Sequence, residues 1–133
     1  MAGAKGYRDL IVWQRAVDFV VEVYKATNGF PREEIYGITS QIRRAAVSIP
    51  SNIAEGQARN SPRAFGNYLS ISLGSAAELE TQLIVAQKIG YLPEASRAKL
   101  AKELVEIVCM LHGLLNVQKQ KFEGRRQAEE TAR

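Results

Sequence analysis

The chain of 133 residues is long enough for one domain with its own core, and its 46% hydrophobic and 24% charged residues exclude wholesale disorder. Its single cysteine, Cys109, excludes an internal disulfide, and no apolar run of about 18 residues exists to cross a membrane, so we expect a cytoplasmic protein. The formal charge of +4 is a modest excess, which makes an acidic partner such as nucleic acid worth testing but does not establish one.

The first predicted helix covers about residues 10–27. Its larger apolar side chains recur at helical spacing, and we expect these to be buried: Leu10, Trp13, Val17, Val20 and Tyr24. The pair Asn28 and Gly29 provides the stop, because both residues tolerate the left-handed conformation that commonly ends a helix.

The second predicted helix runs to about Ala58 through the segment QIRRAAVSIPSNIAEG (41–56). One face is apolar and is predicted to be core: Ile38, Ile42, Ala45, Ala46, Ile49 and Ile53. A second face repeats polar and charged side chains at the same spacing: Arg44, Ser48, Asn52, Glu55 and Arg59. Pro50 lies in the middle and removes a backbone donor, so we expect a bend beside it.

The third helix is predicted to start at about Pro62, because Ser61 followed by proline fits an N-cap and first helical position. It should end at Gly90 and bury Phe65, Leu69, Ser72, Ala76, Leu79, Leu83 and Ala86. A separate line of small residues would let another helix approach closely: Gly66, Ser70, Gly74 and Ala77.

The fourth helix is predicted to begin near Pro93 or Ser96 and to bury Leu100, Leu104, Ile107, Leu111 and Leu114. Residues 124–133 offer no apolar anchor, so we expect a frayed or disordered tail after a single domain of residues 1–123. Four helices joined by short connections predict an all-α fold, an antiparallel up-down-up-down four-helix bundle.

The densest basic region contains four arginines, which are the candidate phosphate contacts of a nucleic-acid-binding strip: Arg43, Arg44, Arg59 and Arg63. The competing interpretation is structural: one arginine pairs with Glu78 or Glu80 on the third helix, and the others are solvated.

A polar group around the second helix is interpreted as a hydrogen-bond network beside Pro50, comprising Ser48, Asn52, Glu55 and Glu78. It does not resemble a catalytic cluster, because the only histidine is His112 on the fourth helix. Cys109 and His112 lie three residues apart, but two ligands do not close a zinc site. We therefore expect no catalytic residues, no metal and no cofactor.

Five aromatic residues are candidate surfaces for base stacking. Helical phase assigns Trp13, Tyr24 and Phe65 to the core, while Tyr36 and Tyr68 remain open.

Several segments occur in a fixed order along residues 7–115, among them LIVWQRA (10–16), VYKAT (23–27), SIPSNIAEG (48–56), GSAAELETQL (74–83) and GYL (90–92). Together they resemble the bacterial four-helix-bundle family of 23S rRNA intervening-sequence proteins, whose relatives include the accessory variability proteins of diversity-generating retroelements. The resemblance implies a homo-oligomer, a pentamer in that family, which associates with RNA or DNA and with a reverse transcriptase or a ribosomal partner.

Two functions therefore remain open from the sequence. The first is a non-enzymatic oligomeric scaffold that associates with RNA or a ribonucleoprotein through a basic helical surface. The second is a structural adaptor that binds a protein partner without touching nucleic acid.

Overall fold

The computed structural model describes residues 6–132, which contain four α-helices and two short 3-10 turns. The helices are α1 (Ile11–Thr27), α2 (Ile38–Ala58), α3 (Pro62–Lys88) and α4 (Glu94–Ala132), and the 3-10 turns are Tyr7–Asp9 and Arg32–Glu34. No strand occurs within that described span, so the predicted all-α class is confirmed. Residues 1–5 and 133 of the predicted domain and tail lie outside the described residues.

The contacts between helices fit the predicted antiparallel bundle. Ser48 of α2 contacts Ser75 of α3, whereas Gly56, later in α2, faces Tyr68, which lies earlier in α3. Residue numbers therefore increase in opposite directions along the two helices. The same inversion relates α3 to α4, since Gly66 faces Leu115, whereas Gln87, later in α3, accepts a hydrogen bond from Arg97, earlier in α4. α2 also packs on α1, and α1 packs on α4.

The core predicted for the last three helices is largely confirmed. Every predicted core residue of α3 is buried, and so is every one of α2 except Ile38, which is half-buried against the core. In α4 the stripe ends with a buried Leu115, whereas Leu114 is only half-buried. α2 continues through Pro50, whose ring is buried, without a break in the helix.

The core stripe predicted for the first helix is wrong. The buried residues of α1 are Val12, Ala16, Phe19, Val23 and Thr27. Leu10, Trp13, Val17 and Val20 are only partly buried, and Tyr24 is 42% exposed. Apolar side chains surround most of α1, so spacing alone is compatible with two adjacent stripes. Packing against α2 and α4 decides which stripe is buried.

The end of the molecule formed by the α1–α2 and α3–α4 connections is tied by aromatic contacts. Phe30 is buried, and its ring lies 5.6 Å from that of Tyr91 between centroids. The Tyr91 hydroxyl donates to the carboxylate of Glu34 at 2.9 Å. This hydrogen bond, with a smaller effect of burial, raises the pKa of Tyr91 above its usual value of 10.0.

α4 is much longer than the helices it packs on. Its 39 residues span about 58 Å at the usual helical rise, against about 40 Å for the 27 residues of α3. α4 therefore passes the α2–α3 turn, and every described residue after Gln118 is exposed.

We expected residues 124–133 to fray or to be disordered, but in the structure α4 is helical to Ala132. Arginine, glutamine, alanine and glutamate all favour helix, so this segment can stay helical without a buried face. An ion pair of 3.4 Å between Arg126 and Glu130, four residues apart, adds local support. Among the helices described, none combines the length and hydrophobicity that a membrane crossing requires.

Candidate nucleic-acid interface

A small hydrogen-bond network joins α2 to α3 beside Pro50. The Ser48 and Ser75 hydroxyls lie 2.8 Å apart, and the Asn52 amide donates to the Ser48 hydroxyl at 2.9 Å and to the Ser48 carbonyl at 2.8 Å. One turn away, the buried Ser72 hydroxyl donates to the Ile49 carbonyl at 2.9 Å. Ser48 and Asn52 therefore take part in hydrogen bonds at the α2–α3 interface.

The other two residues predicted for this network, Glu55 and Glu78, lie outside it. Glu55 is exposed and accepts hydrogen bonds from Arg59 and from the Tyr68 hydroxyl, both at 3.3 Å. Glu78 is also exposed and accepts from Gln82 at 3.3 Å. Carboxylates lose much hydration energy when buried, so both stay at the surface while the neutral hydroxyl and amide groups occupy the helix interface.

The helices α2 and α3 approach each other closely at Gly56. A Cβ atom on this residue would lie 2.5 Å from Cβ of Tyr68 and 3.2 Å from Cδ1 of Phe65. The chain then turns through Asn60, whose φ of 54° is a left-handed conformation that asparagine tolerates. Ser61 caps α3, as predicted, by accepting from the backbone N–H of Ala64 at 3.3 Å.

The four candidate arginines lie on different surfaces, and their spacing already placed at most one of Arg43 and Arg44 on any single groove. Arg43 is half-buried, and its Nε donates to the Thr27 hydroxyl at 2.9 Å while its guanidinium lies 4.5 Å from the Tyr24 ring centroid. Arg43 therefore ties α2 to α1. Because successive residues of a helix point about 100° apart, its neighbour Arg44 faces a different surface.

Arg44 is exposed and lines a cleft of about 340 Å³ between α2 and α3, together with Ser48, Ser75 and Glu78. Within the described part of the chain, none of the four arginines forms an ion pair with Glu78 or Glu80. The helical rise places Arg44 about 22 Å along the helix axis from Arg59.

Arg59 and Arg63 lie on either side of the α2–α3 turn, and each guanidinium lies over an aromatic ring. The Arg59 guanidinium donates to the Tyr68 hydroxyl at 2.9 Å and lies 5.2 Å from that ring centroid. The Arg63 guanidinium lies 5.6 Å from the Phe122 ring centroid, on α4. Tyr68, left open by the sequence, is half-buried in this contact, whereas Tyr36 is 95% exposed in the α1–α2 connection.

Three further cations reach the same turn from α4. Lys121 and Arg125 line a cleft of about 220 Å³ under the turn, together with Asn60. Lys119 lines the neighbouring cleft beside Arg63. We call this surface the cationic end, and it consists of Arg59, Arg63, Lys119, Lys121 and Arg125. These α4 residues were not predicted from the sequence, because no sequence pattern shows that α4 passes the α2–α3 turn. The available signal was the four-residue spacing of Lys121 and Arg125, which places both on one helix face.

Charge is distributed unevenly between the two ends of the molecule. Segments 55–67 and 118–126, which form the cationic end and its surroundings, hold six cations and two acids, Glu55 and Glu123. Their excess of four equals the formal net charge of the whole chain. The connections at the opposite end, residues 28–37 and 88–97, hold three of each sign. The asymmetry produces a positive potential around the α2–α3 turn.

Cys109 and His112 both lie exposed on α4 and line an apolar cleft beside Val105. Over residues 6–132, no group of three or more metal-binding side chains comes together.

A family model described as 23S rRNA-intervening sequence protein matches residues 8–113, most of the chain. The chain belongs to this family. A crystal structure of a protein with unknown function from the S23 ribosomal protein family of Bacteroides thetaiotaomicron VPI-5482 has the same fold, with a TM-score of 0.73. It is 24% identical, and the match covers 79% of this chain and 98% of that chain. No curated protein matches the sequence.

The cationic end lies partly inside and partly outside the span matched to the 23S rRNA-intervening sequence protein family. Arg59 and Arg63 fall within residues 8–113, whereas Lys119, Lys121 and Arg125 follow it. The part of α4 after the matched span, residues 114–132, which we call the α4 extension, thus adds three of the five cations at this surface.

Proposed function

We propose that this chain is an antiparallel up-down-up-down four-helix bundle that acts as a non-enzymatic RNA-binding module, with phosphate contacts at the cationic end. The observation that carries the proposal is the charge distribution, because the two segments around the α2–α3 turn account for the formal net charge of +4. The family name refers to intervening sequences of 23S rRNA, which favours RNA among the polyanions that such a surface could bind.

The side chains at this end suit phosphate recognition. Arginine presents a planar fork of donors that matches phosphate oxygens, and lysine adds a mobile point charge. The Arg59 side chain remains 55% exposed despite its contacts with Glu55 and Tyr68. Arg43 is not assigned to this surface, because its guanidinium is engaged by Thr27 and Tyr24. Arg44 remains a separate candidate on the α2–α3 cleft.

The test is fluorescence anisotropy of a labelled single-stranded RNA titrated with protein at several salt concentrations. Five phosphate contacts to a single strand predict a slope of log K against log salt of about −3.5. The variant Lys121→Ala/Arg125→Ala should weaken binding and reduce the magnitude of this slope by about 1.4, because it removes two of the five contacts. The matched control, Lys99→Ala/Lys102→Ala, removes two exposed cations from the other half of α4 and should change both quantities little.

Two results would refute the proposal. One is the absence of binding by the unaltered protein even at low salt. The other is an equal loss of affinity in the test and control variants, because that would reflect overall charge and not the cationic end. Binding of a protein partner with little salt dependence would instead favour the structural adaptor.

We also propose that the bundle assembles into a homo-oligomer. The supporting observation is apolar surface between α3 and α4, where Val105 is 54% exposed. Val105, Leu73 and Val108 line a cleft of about 290 Å³ there. Contiguous apolar surface of this kind marks contact sites between proteins. Light scattering should give a mass of several subunits, and Val105→Glu should lower it; a monomer at all concentrations would refute the idea.

A further inference from the structure

A second feature of the cationic end is an open cleft between the first turns of α3 and the extension of α4. Its volume is about 200 Å³, below the roughly 300–1,000 Å³ of pockets for drug-sized ligands, so it has room for a single ring system. We call it the α3–α4 cleft. Gly66 and Leu115 line its apolar part, and Asn67 and Ser70 add polar groups from the same face of α3.

The glycine in this cleft is not required by helix packing. A Cβ on Gly66 would lie 3.6 Å from Cδ1 of Leu115 and 3.9 Å from Cβ of Gln118, which are ordinary van der Waals distances. Gly56 differs, because a Cβ there would overlap α3. Glycine weakens a helix relative to alanine, so its presence at position 66 has a cost that packing does not explain. Its effect on the shape of the molecule is to keep the α3–α4 cleft open.

An aromatic ring closes one side of the cleft. Phe122 is 36% exposed, and no other residue of segment 118–126 has a large apolar side chain. Its ring is therefore only partly covered and remains accessible to solvent. Arg63 lies over this ring, and Lys119 lines the same cleft one turn before Phe122. An aromatic face, a guanidinium plane and an adjacent ammonium group provide stacking surfaces and phosphate donors within one site.

We propose that the α3–α4 cleft receives one unpaired nucleobase of the bound RNA. The base stacks on Phe122 and Arg63, its edge meets Asn67 and Ser70, and Lys119 contacts the adjoining phosphate. The inference rests on the proposed function and narrows its ligand to RNA that is single-stranded at this position. A duplex cannot occupy the cleft in this way, because its bases are paired and stacked within the helix.

The test compares a labelled single-stranded RNA with a duplex of the same length, by anisotropy at fixed salt. The single strand should bind about tenfold more tightly than the duplex, in line with the usual effect of stacking one base on an aromatic side chain. Gly66→Leu fills the cleft and should reduce single-strand affinity about tenfold while leaving the salt slope unchanged, because the phosphate contacts remain. Gly74→Leu, on the same helix as Gly66, is the matched control, since a Cβ at Gly74 would meet nothing within 4 Å.

Phe122→Leu provides a second variant on an exposed site, and it should also weaken single-strand binding without changing the salt slope, even if Gly66→Leu fails to fold. Equal affinity for single strand and duplex, or unchanged affinity in Phe122→Leu, would overturn the assignment of the cleft and leave the proposed RNA-binding function intact. A free nucleoside monophosphate that binds as tightly as the strand would overturn it too. No binding of any RNA at low salt would overturn both proposals.

Discussion

Substitution of Gly56 tests how closely α2 approaches α3. In Gly56→Ala the new Cβ would lie 2.5 Å from Cβ of Tyr68, an atom fixed to the backbone of α3. Rotation of the tyrosine side chain cannot relieve that contact, so the two helices must separate or shift. Phe65, whose Cδ1 would be 3.2 Å away, restricts the shift further.

The magnitude follows from two opposing effects. Inserting a methyl group into a tightly packed helix interface costs about 1–3 kcal/mol. Replacing glycine by alanine within a helix returns about 1 kcal/mol through helix propensity. With a contact as short as that to Tyr68, we expect a net decrease in the free energy of unfolding of about 1–2 kcal/mol.

Gly74→Ala separates these effects, because a Cβ at that position meets nothing within 4 Å. It retains the propensity gain without the overlap, so it should stabilise the protein by up to about 1 kcal/mol. The assay is urea denaturation of both variants, followed by circular dichroism at matched protein concentration. If Gly56→Ala proves as stable as Gly74→Ala, the close approach of α2 to α3 is wrong.

Two further predictions concern polar contacts. Arg43→Ala should lower the free energy of unfolding by about 1–2 kcal/mol, because it removes the contacts with Thr27 and Tyr24. Arg44 is exposed, so Arg44→Ala should change the free energy of unfolding by less than about 0.5 kcal/mol. Similar urea midpoints for the two variants would contradict the structural role of Arg43. The pKa of Tyr91 is raised in the folded protein, so its contact with Glu34 contributes stability below pH 10 that is lost as the pH rises through the folded-state pKa. Above about pH 10 the unaltered protein should therefore lose stability more steeply than Tyr91→Phe. Parallel curves of stability against pH for the two proteins would refute this.

Much of the fold could be predicted because it depends on local chemistry. The buried stripe of α3 from Phe65 to Ala86 follows one helical period, and Ser61 followed by Pro62 marks its start. The polar pair Ser48 and Asn52 on α2 was likewise identifiable, since residues four apart share a helix face.

The errors arose where local patterns left several outcomes open. α1 carries apolar residues around most of its circumference, so only its neighbours could select Phe19 for the core and leave Tyr24 at the surface. The α4 segment after Gly124 has residues that favour helix and none that require burial, so its sequence was compatible with either a frayed tail or a helix.

The sequence by itself determined where helices form and which stripes of α2, α3 and α4 are apolar, because backbone preference and helical periodicity act over a few residues. Only the tertiary structure decided which charges share a surface. It directed Arg43 to α1, and it brought Arg63 to Phe122, 59 residues away, because α4 runs past the α2–α3 turn. Such contacts depend on the packing and relative lengths of whole helices, which no short-range sequence pattern encodes.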